Sequence, residues 1–378
     1  MRRSFMGKAI SAIEALITRR VEIPCDGISY HFEGVPLRKI LNWILVEASV
    51  FFRPERPWGG PTHPQIEGTN LCNLRCALCP VTTGMQRDSG YMEYGLFTKI
   101  VDETAGSVFL LLLWDWGEPF LHPRIFDMIS HARQRGMRVV CSTNGHMLAN
   151  AGYAERLIRS GLDTLIVAVD GVTQQTYEQY RCGGSLERVL EGVRALVAKK
   201  REMDSSHPLV NLRFIAMKHN EHEIPDFGRM AETLGVDAAA VRALCPFDNI
   251  REREAGADEE FTPMNPSYQR FRQDDGTGRR IRRLRNPCKT PWNNPTVHWS
   301  GVVCPCTFDP HEKNPLGNLA HASMKEIWSG EKYRSFRRRF RRDYRDMAIC
   351  RECTNAYAGG TCSTEDIIEV RFFSDPPG

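Results

Sequence analysis

From about residue 65 the chain alternates short apolar runs with segments of helical period. The runs are Gln65–Thr69, Val108–Trp114, Arg138–Ser142, Thr164–Val169, Val210–Met217 and Ala238–Ala243. VFLLLLW at 108–114 and TLIVAV at 164–169 lack polar alternation, as strands buried on both faces do. Between the runs, 124–135, 152–160, 186–203 and 226–234 repeat apolar positions at helical spacing. Six strands, each coupled to a helix, predict an α/β fold with a parallel sheet over 64–245. The count suits a partial (β/α)6 barrel and a doubly wound sheet alike.

Residues 1–63 form an N-terminal extension with a helix, a hairpin-like piece at Ile28–Phe32 and a second helix at Leu37–Phe52. In the second helix Arg38, Lys39, Asn42 and Glu47 interrupt the apolar residues at helical spacing. It reads as an amphipathic helix packed on the main domain; an interfacial helix making peripheral membrane contact is the alternative. RPERPWGGPTHP at 53–64 marks a linker or a wrapped segment. Residues 246–285 are polar and Arg-rich, a linking region, and a Cys-rich module spans 286–378.

Composition narrows this picture. With 42% hydrophobic and 25% charged residues in 378, the chain can build a large core, so disorder is excluded as a default. No stretch of 18 apolar residues exists to span a bilayer. The net charge of +4 gives no case for a nucleic-acid partner. In RSFRRRFRRDYR, Phe336, Phe340 and Tyr344 recur every four residues and mark the buried side, with the arginines facing water. The 13 cysteines are an odd number, and the N-terminus shows no signal-peptide pattern, which points to the cytoplasm and to metal binding rather than disulfides.

Three of those cysteines, Cys72, Cys76 and Cys79, follow the first strand as C-x3-C-x2-C. Three thiolates on one loop can ligate three irons of a cubane and leave the fourth open. A zinc knuckle is the alternative, but it normally needs a fourth nearby ligand. The motif resembles the signature of the radical SAM superfamily. The resemblance implies a [4Fe–4S] cluster whose open iron is chelated by S-adenosylmethionine. It also implies reductive cleavage to a 5′-deoxyadenosyl radical that takes hydrogen from a C–H bond, and an electron donor such as flavodoxin or ferredoxin.

Three further segments carry the resemblance. Trp116-Gly117-Glu118-Pro119 is similar to the GGEP motif, whose backbone binds the methionine ammonium, with Trp116 replacing the first glycine. Ser142-Thr143-Asn144-Gly145 is similar to the segment that in relatives lies near the ribose and methionine end. Asp170 closes the fourth strand, and Arg181 lies where relatives have an arginine that pairs with the cofactor carboxylate. Singly, Gly117 and Gly145 read as turns and Asp170 as a helix cap. Their order at the C-terminal ends of successive strands, where parallel folds place their chemistry, is the stronger signal. The resemblance favours the partial, TIM-like (β/α)6 barrel.

The C-terminal text resembles the SPASM and twitch modules of radical SAM enzymes. It implies that Cys288, Cys306, Cys350 and Cys353 hold an auxiliary [4Fe–4S] cluster; a structural zinc site on the same four is the alternative. Cys304 and Cys362 are spare, so the one-cluster twitch form is expected. A second cluster as electron acceptor implies an oxidoreductase, with dehydrogenation of a small molecule, sugar or lipid-like substrate as the lead expectation. A peptide maturase and a radical epimerase remain open, the latter with Cys245 as catalytic hydrogen donor (Cys141 and Cys182 being further candidates). A non-catalytic electron carrier is the remaining class.

Overall fold

Two strands precede the alternating region. Val21–Cys25 (β1) and Ile28–Phe32 (β2) pair as an antiparallel hairpin. Asp26 and Gly27 at its tip take φ of 57° and 80°, the left-handed pair that a tight two-residue hairpin turn requires. The computed structural model describes residues 5–245, 260–270, 281–358, 360 and 367–374. Most of the expected linker and Cys362 lie outside these.

Six strands follow: Gln65–Ile66 (β3), Leu110–Leu112 (β4), Arg138–Thr143 (β5), Thr164–Ala168 (β6), Leu209–Ala216 (β7) and Ala238–Ala243 (β8). Each pairs in parallel with the next in chain order. A doubly wound sheet would reverse its winding at a switch point; unbroken order is the winding of a barrel left open. The helices Ile125–Gln134, Tyr153–Arg159, Leu186–Glu202 and Ile224–Leu234 follow their strands. β3 and β4 are shorter than their apolar runs, because the ends of both runs turn into loops.

Alternate strand residues face opposite ways. Leu111, Val139, Leu165 and Leu212 join the helices in the main core, while Leu110, Leu112, Val140 and Ile166 pack on Cys25, Ile28 and Tyr30 of the hairpin. The hairpin therefore fills the inner face of the open barrel. Tyr30 donates to the Thr164 hydroxyl at 3.1 Å, and Asp26 pairs with the buried Arg213 at 2.6 Å. Burial raises the Asp26 carboxyl, yet Arg213 and Arg242 outweigh it and hold the group below its ordinary value.

The chain after 286 extends this sheet at both edges. Thr296–Val297 (β9) pairs in parallel with β3; Val302–Cys304 (β10) and Gly317–Asn318 (β11) add antiparallel beyond it. Ile367–Phe372 (β12) adds antiparallel to β8.

The two N-terminal helices, Phe5–Thr18 (α1) and Leu37–Phe52 (α2), lie outside the sheet. α2 packs through Ile40, Val46 and Val50. Its Lys39 ammonium reaches the Gly136 carbonyl at 3.3 Å and lies 4.7 Å from the centre of the Phe109 ring; burial pulls it down to about 8. The stretch at 53–64 is wrapped: the Asn42 side chain brackets Gly60 with bonds of 3.1 and 2.8 Å, and the Trp328 indole donates to Gly59.

The Arg-rich segment is a helix, Glu331–Asp343, with Phe336 and Phe340 buried. Arg337 departs from the expected solvated arginines. It is buried, donates to the carbonyls of Trp328 and Pro291 at 2.7 and 2.8 Å, and lies 3.9 Å from the centre of the Tyr333 ring. Position 337 lies one step from Phe336, on the inward arc, so the packing captures its guanidinium.

Candidate functional site

The first cysteine loop is tied to the C-terminal ends of the strands from two sides. On one side stands Glu118, beyond β4. Its buried carboxylate accepts from the Thr143 hydroxyl (2.8 Å), the Asn144 amide (2.7 Å) and the Phe120 amide (3.1 Å). Burial still leaves it above the ordinary range despite these donors. Asn144, so held, directs its side-chain amide to Asn73 at 2.8 Å and toward the Cys72 sulfur at 3.9 Å. On the other side, Asp170 accepts from Arg181 at 2.6 Å and from the Ile215 amide at 2.7 Å. Arg181 then places its guanidinium 3.6 Å from the Cys76 sulfur. The loop backbone rests on the same segment, with the amides of Arg75 and Ala77 donating to the carbonyls of Cys182 and Tyr180.

Gly117 closes the arrangement. It has φ of 93°, and a Cβ there would stand 2.6 Å from the Thr69 carbonyl oxygen. Only glycine allows the 116–119 turn to approach the entry of the cysteine loop this closely, and Glu118 then donates its amide to Leu71 at 2.7 Å. Pro119 opens a short buried turn behind the motif. Ser142 is half-buried and pairs with Ile166, on the inner face of the barrel.

The loop thiols feel one another. Burial, then the neighbouring Cys76 and Cys72, push the Cys79 thiol up to about 12. Burial likewise raises Cys72. Such a set gives up its protons when a metal group binds, and the adjacent Arg181 charge favours the thiolates.

The second set converges too. Cys288, Cys306, Cys350 and Cys353 line one cavity of about 50 Å³. Burial and the other three cysteines together raise the Cys306 thiol well above its ordinary value. None of the twelve described cysteines is in a disulfide. Among the described residues, the one triad of His, Cys or carboxylate side chains whose ligand atoms all lie within 4.8 Å of one another is Glu67, Asp115 and His298. Three thiolates on one loop suit a cubane with one open iron, and four thiolates around one cavity suit a closed one.

A seam that no sequence motif announces joins the two sites. The Trp116 indole donates to the Thr307 carbonyl at 3.2 Å, one residue past Cys306. The Thr307 hydroxyl donates to Asp115, which also accepts from Gln65 at 3.0 Å. The buried His298 lies 3.4 Å from Asp115 and 2.9 Å from Glu312, and Arg87 clasps Glu67 with bonds of 2.8 and 2.6 Å. Burial opposes a charged His298. Asp115, Cys304, Glu312 and Glu67 overcome that and hold the imidazole well above its ordinary value. The Trp at position 116, a departure from the two-glycine motif, was the available signal.

Of the proposed hydrogen donors, Cys141 is wholly buried in the core and donates to Leu113 at 3.5 Å. Cys182 is half-buried on the segment under the loop. Cys245 follows β8 and lies close enough to Cys353 to raise that thiol, which burial, Cys288 and Cys245 together bring to about 12.

Residues 66–230 match the model of the radical SAM superfamily. The chain carries a radical SAM domain. Residues 288–354 match the SPASM iron–sulfur cluster-binding domain. This radical SAM chain accordingly takes S-adenosylmethionine with a [4Fe–4S] cluster, and iron–sulfur binding in its SPASM domain. It is 28% identical over 295 residues to the tungsten-containing aldehyde ferredoxin oxidoreductase cofactor-modifying protein of Pyrococcus furiosus, covering 72% of this chain and 82% of the relative. The PqqA peptide cyclase of Gluconobacter oxydans is 24% identical, covering 82% and 90%. Among solved structures, Streptococcus suis SuiB shares the fold with a TM-score of 0.60 at 12% identity, over 88% of this chain and 79% of that one. The native anSMEcpe structure with bound AdoMet does so at 0.57 and 15%, over 80% and 92%.

Proposed function

We propose that this radical SAM enzyme dehydrogenates a C–H site on a small molecule, sugar or lipid-like substrate at the mouth of its barrel. Cys72, Cys76 and Cys79 hold the radical-generating cluster, and Cys288, Cys306, Cys350 and Cys353 hold an auxiliary one. When bound, the first cluster and S-adenosylmethionine supply a hydrogen-abstracting carbon radical and the second supplies an electron acceptor. The observation that carries the reading is the pair of separated cysteine sets, linked through Trp116, Thr307 and Asp115.

Each residue's task follows from its contacts. Gly117 and Glu118 keep the 116–119 backbone open toward the cofactor. Asn144 stands over the Cys72 side of the loop. Arg181, whose Nε and one terminal nitrogen are committed to Asp170, presents its remaining nitrogen to Cys76 and neutralises charge there. A peptide substrate is the second reading, supported by the relative that is a peptide cyclase; epimerisation would require Cys245 to return hydrogen.

The test uses candidate substrates deuterated at the reacting carbon. Deuterium appearing in 5′-deoxyadenosine identifies the substrate. Dehydrogenation predicts a product lighter by two hydrogens. It also predicts that Cys350→Ala/Cys353→Ala still cleaves S-adenosylmethionine but makes no such product. A product of unchanged mass that gains one deuterium from D2O, and loses it in Cys245→Ser, would overturn dehydrogenation in favour of epimerisation.

A further inference from the structure

Among the described residues, fourteen large apolar side chains stand exposed, and ten of them belong to the first 60 residues. On α1 these include Ile10, Ile13 and Ile17, the last 76% exposed. On α2, Leu37, Leu41, Leu45 and Phe52 follow helical spacing, with Leu41 50% and Phe52 56% exposed. Projected at 100° per residue, the exposed Phe51, Leu37, Leu41, Phe52 and Leu45 share one arc of α2 with the half-buried Ile44 and Ala48, and that arc carries no charge, with Arg38 at its margin. This inverts the usual surface helix, whose polar face meets water. The buried arc is already used, through Val50 in the main core and Ile40 in the cluster that includes Phe109. α1 and α2 pack on each other through Ala15 and Ile40, so both apolar faces belong to one outer layer of the extension.

We infer that this layer docks on the surface of an anionic lipid bilayer, with α1 and α2 lying in the interface. The sequence charge of the extension favours that occupant. Residues 1–60 contain nine Lys and Arg against six Asp and Glu, leaving +3 of the whole chain's +4. Apolar faces flanked by basic residues suit anionic headgroups. A second copy of this chain would bring the same positive charge against its own. No helix of the described residues is long and apolar enough to cross a membrane, so the contact is peripheral.

The orientation follows from the packing. Lys39 of α2 meets Gly136 and Phe109, which stand just before β5 and β4, at the entering ends of the strands. Glu118 and Asn144 lie past the leaving ends of those strands. Docking therefore leaves the mouth of the barrel clear, and lipid binding is independent of S-adenosylmethionine and of the dehydrogenation reading.

The experiment is co-sedimentation of the full-length, cluster-loaded protein, under anaerobic conditions, with vesicles of phosphatidylcholine alone or with phosphatidylglycerol. Binding is expected to rise about tenfold or more with phosphatidylglycerol and to fall in high salt. Ile13→Asp/Ile17→Asp and Leu41→Asp/Leu45→Asp are each expected to lower it at least about tenfold. These positions are exposed, so the cluster absorbance and circular dichroism of both variants should match the wild type. Absence of vesicle binding overturns the inference. So does binding that both variants retain, and so does a dimer in solution that the same variants dissolve while vesicles are ignored.

Discussion

Replacing Gly117 with alanine is expected to lower the rate of 5′-deoxyadenosine formation about 100-fold or more, while iron in the SPASM domain stays in place. The added Cβ would sit 2.6 Å from the Thr69 carbonyl oxygen and 2.7 Å from the Asn70 backbone. Neither neighbour is the end of a flexible side chain, so the backbone itself has to move. Two segments would separate: the 116–119 turn, and the strand exit that leads into Cys72. A displacement near 1 Å at a reacting site costs about 100-fold in rate. The positive φ of 93° adds strain for any side chain. Quantifying 5′-deoxyadenosine after chemical reduction checks this, and an unchanged rate would mean that the turn does not position the cofactor.

His298→Gln is expected to lower the melting temperature of the anaerobic, loaded protein by about 5–10 °C, since breaking a buried ion pair costs about 3–5 kcal/mol. The imidazole lies between Asp115 and Glu312 in the seam that joins the two cysteine sites. Its loss leaves buried carboxylate without its partner. The pH dependence identifies the proton as the cause. The folded-state value of His298 is raised, so its contribution is fully present below about pH 6.5, the unfolded value. It is lost as pH rises through the folded value. The gap between wild type and His298→Gln should thus be widest in mild acid and narrow in alkali. A gap that is constant with pH would assign the effect to packing alone.

The barrel was legible because its strands are buried on both faces and read as unbroken apolar runs, and the loop of Cys72, Cys76 and Cys79 stood out because its spacing is local. Winding order was not, since it depends on which strands pair. Nor was the role of the hairpin. Val21–Cys25 alternates buried and exposed residues like any half-buried strand, and nothing local says that Ile28 and Tyr30 enter the barrel. The seam of Glu67, Asp115 and His298 joins positions far apart in the chain, so no spacing announces it. Arg337 reads as solvated because charge runs usually are, and a guanidinium that satisfies three carbonyls is an exception only packing can reveal. On α2 the apolar pattern fixed the helix, but one side meets the barrel and the other meets solvent, which a single stripe does not distinguish.

If one chain holds two independent cubane clusters, iron and acid-labile sulfide per chain after anaerobic reconstitution will show it. Wild type is expected to carry about 8 iron, and Cys72→Ala/Cys76→Ala/Cys79→Ala and Cys288→Ala/Cys306→Ala/Cys350→Ala/Cys353→Ala about 4 each. About 4 iron in the wild type, none in the first variant and an unchanged value in the second would rule the pair out, leaving a single radical-generating cluster and no second electron acceptor.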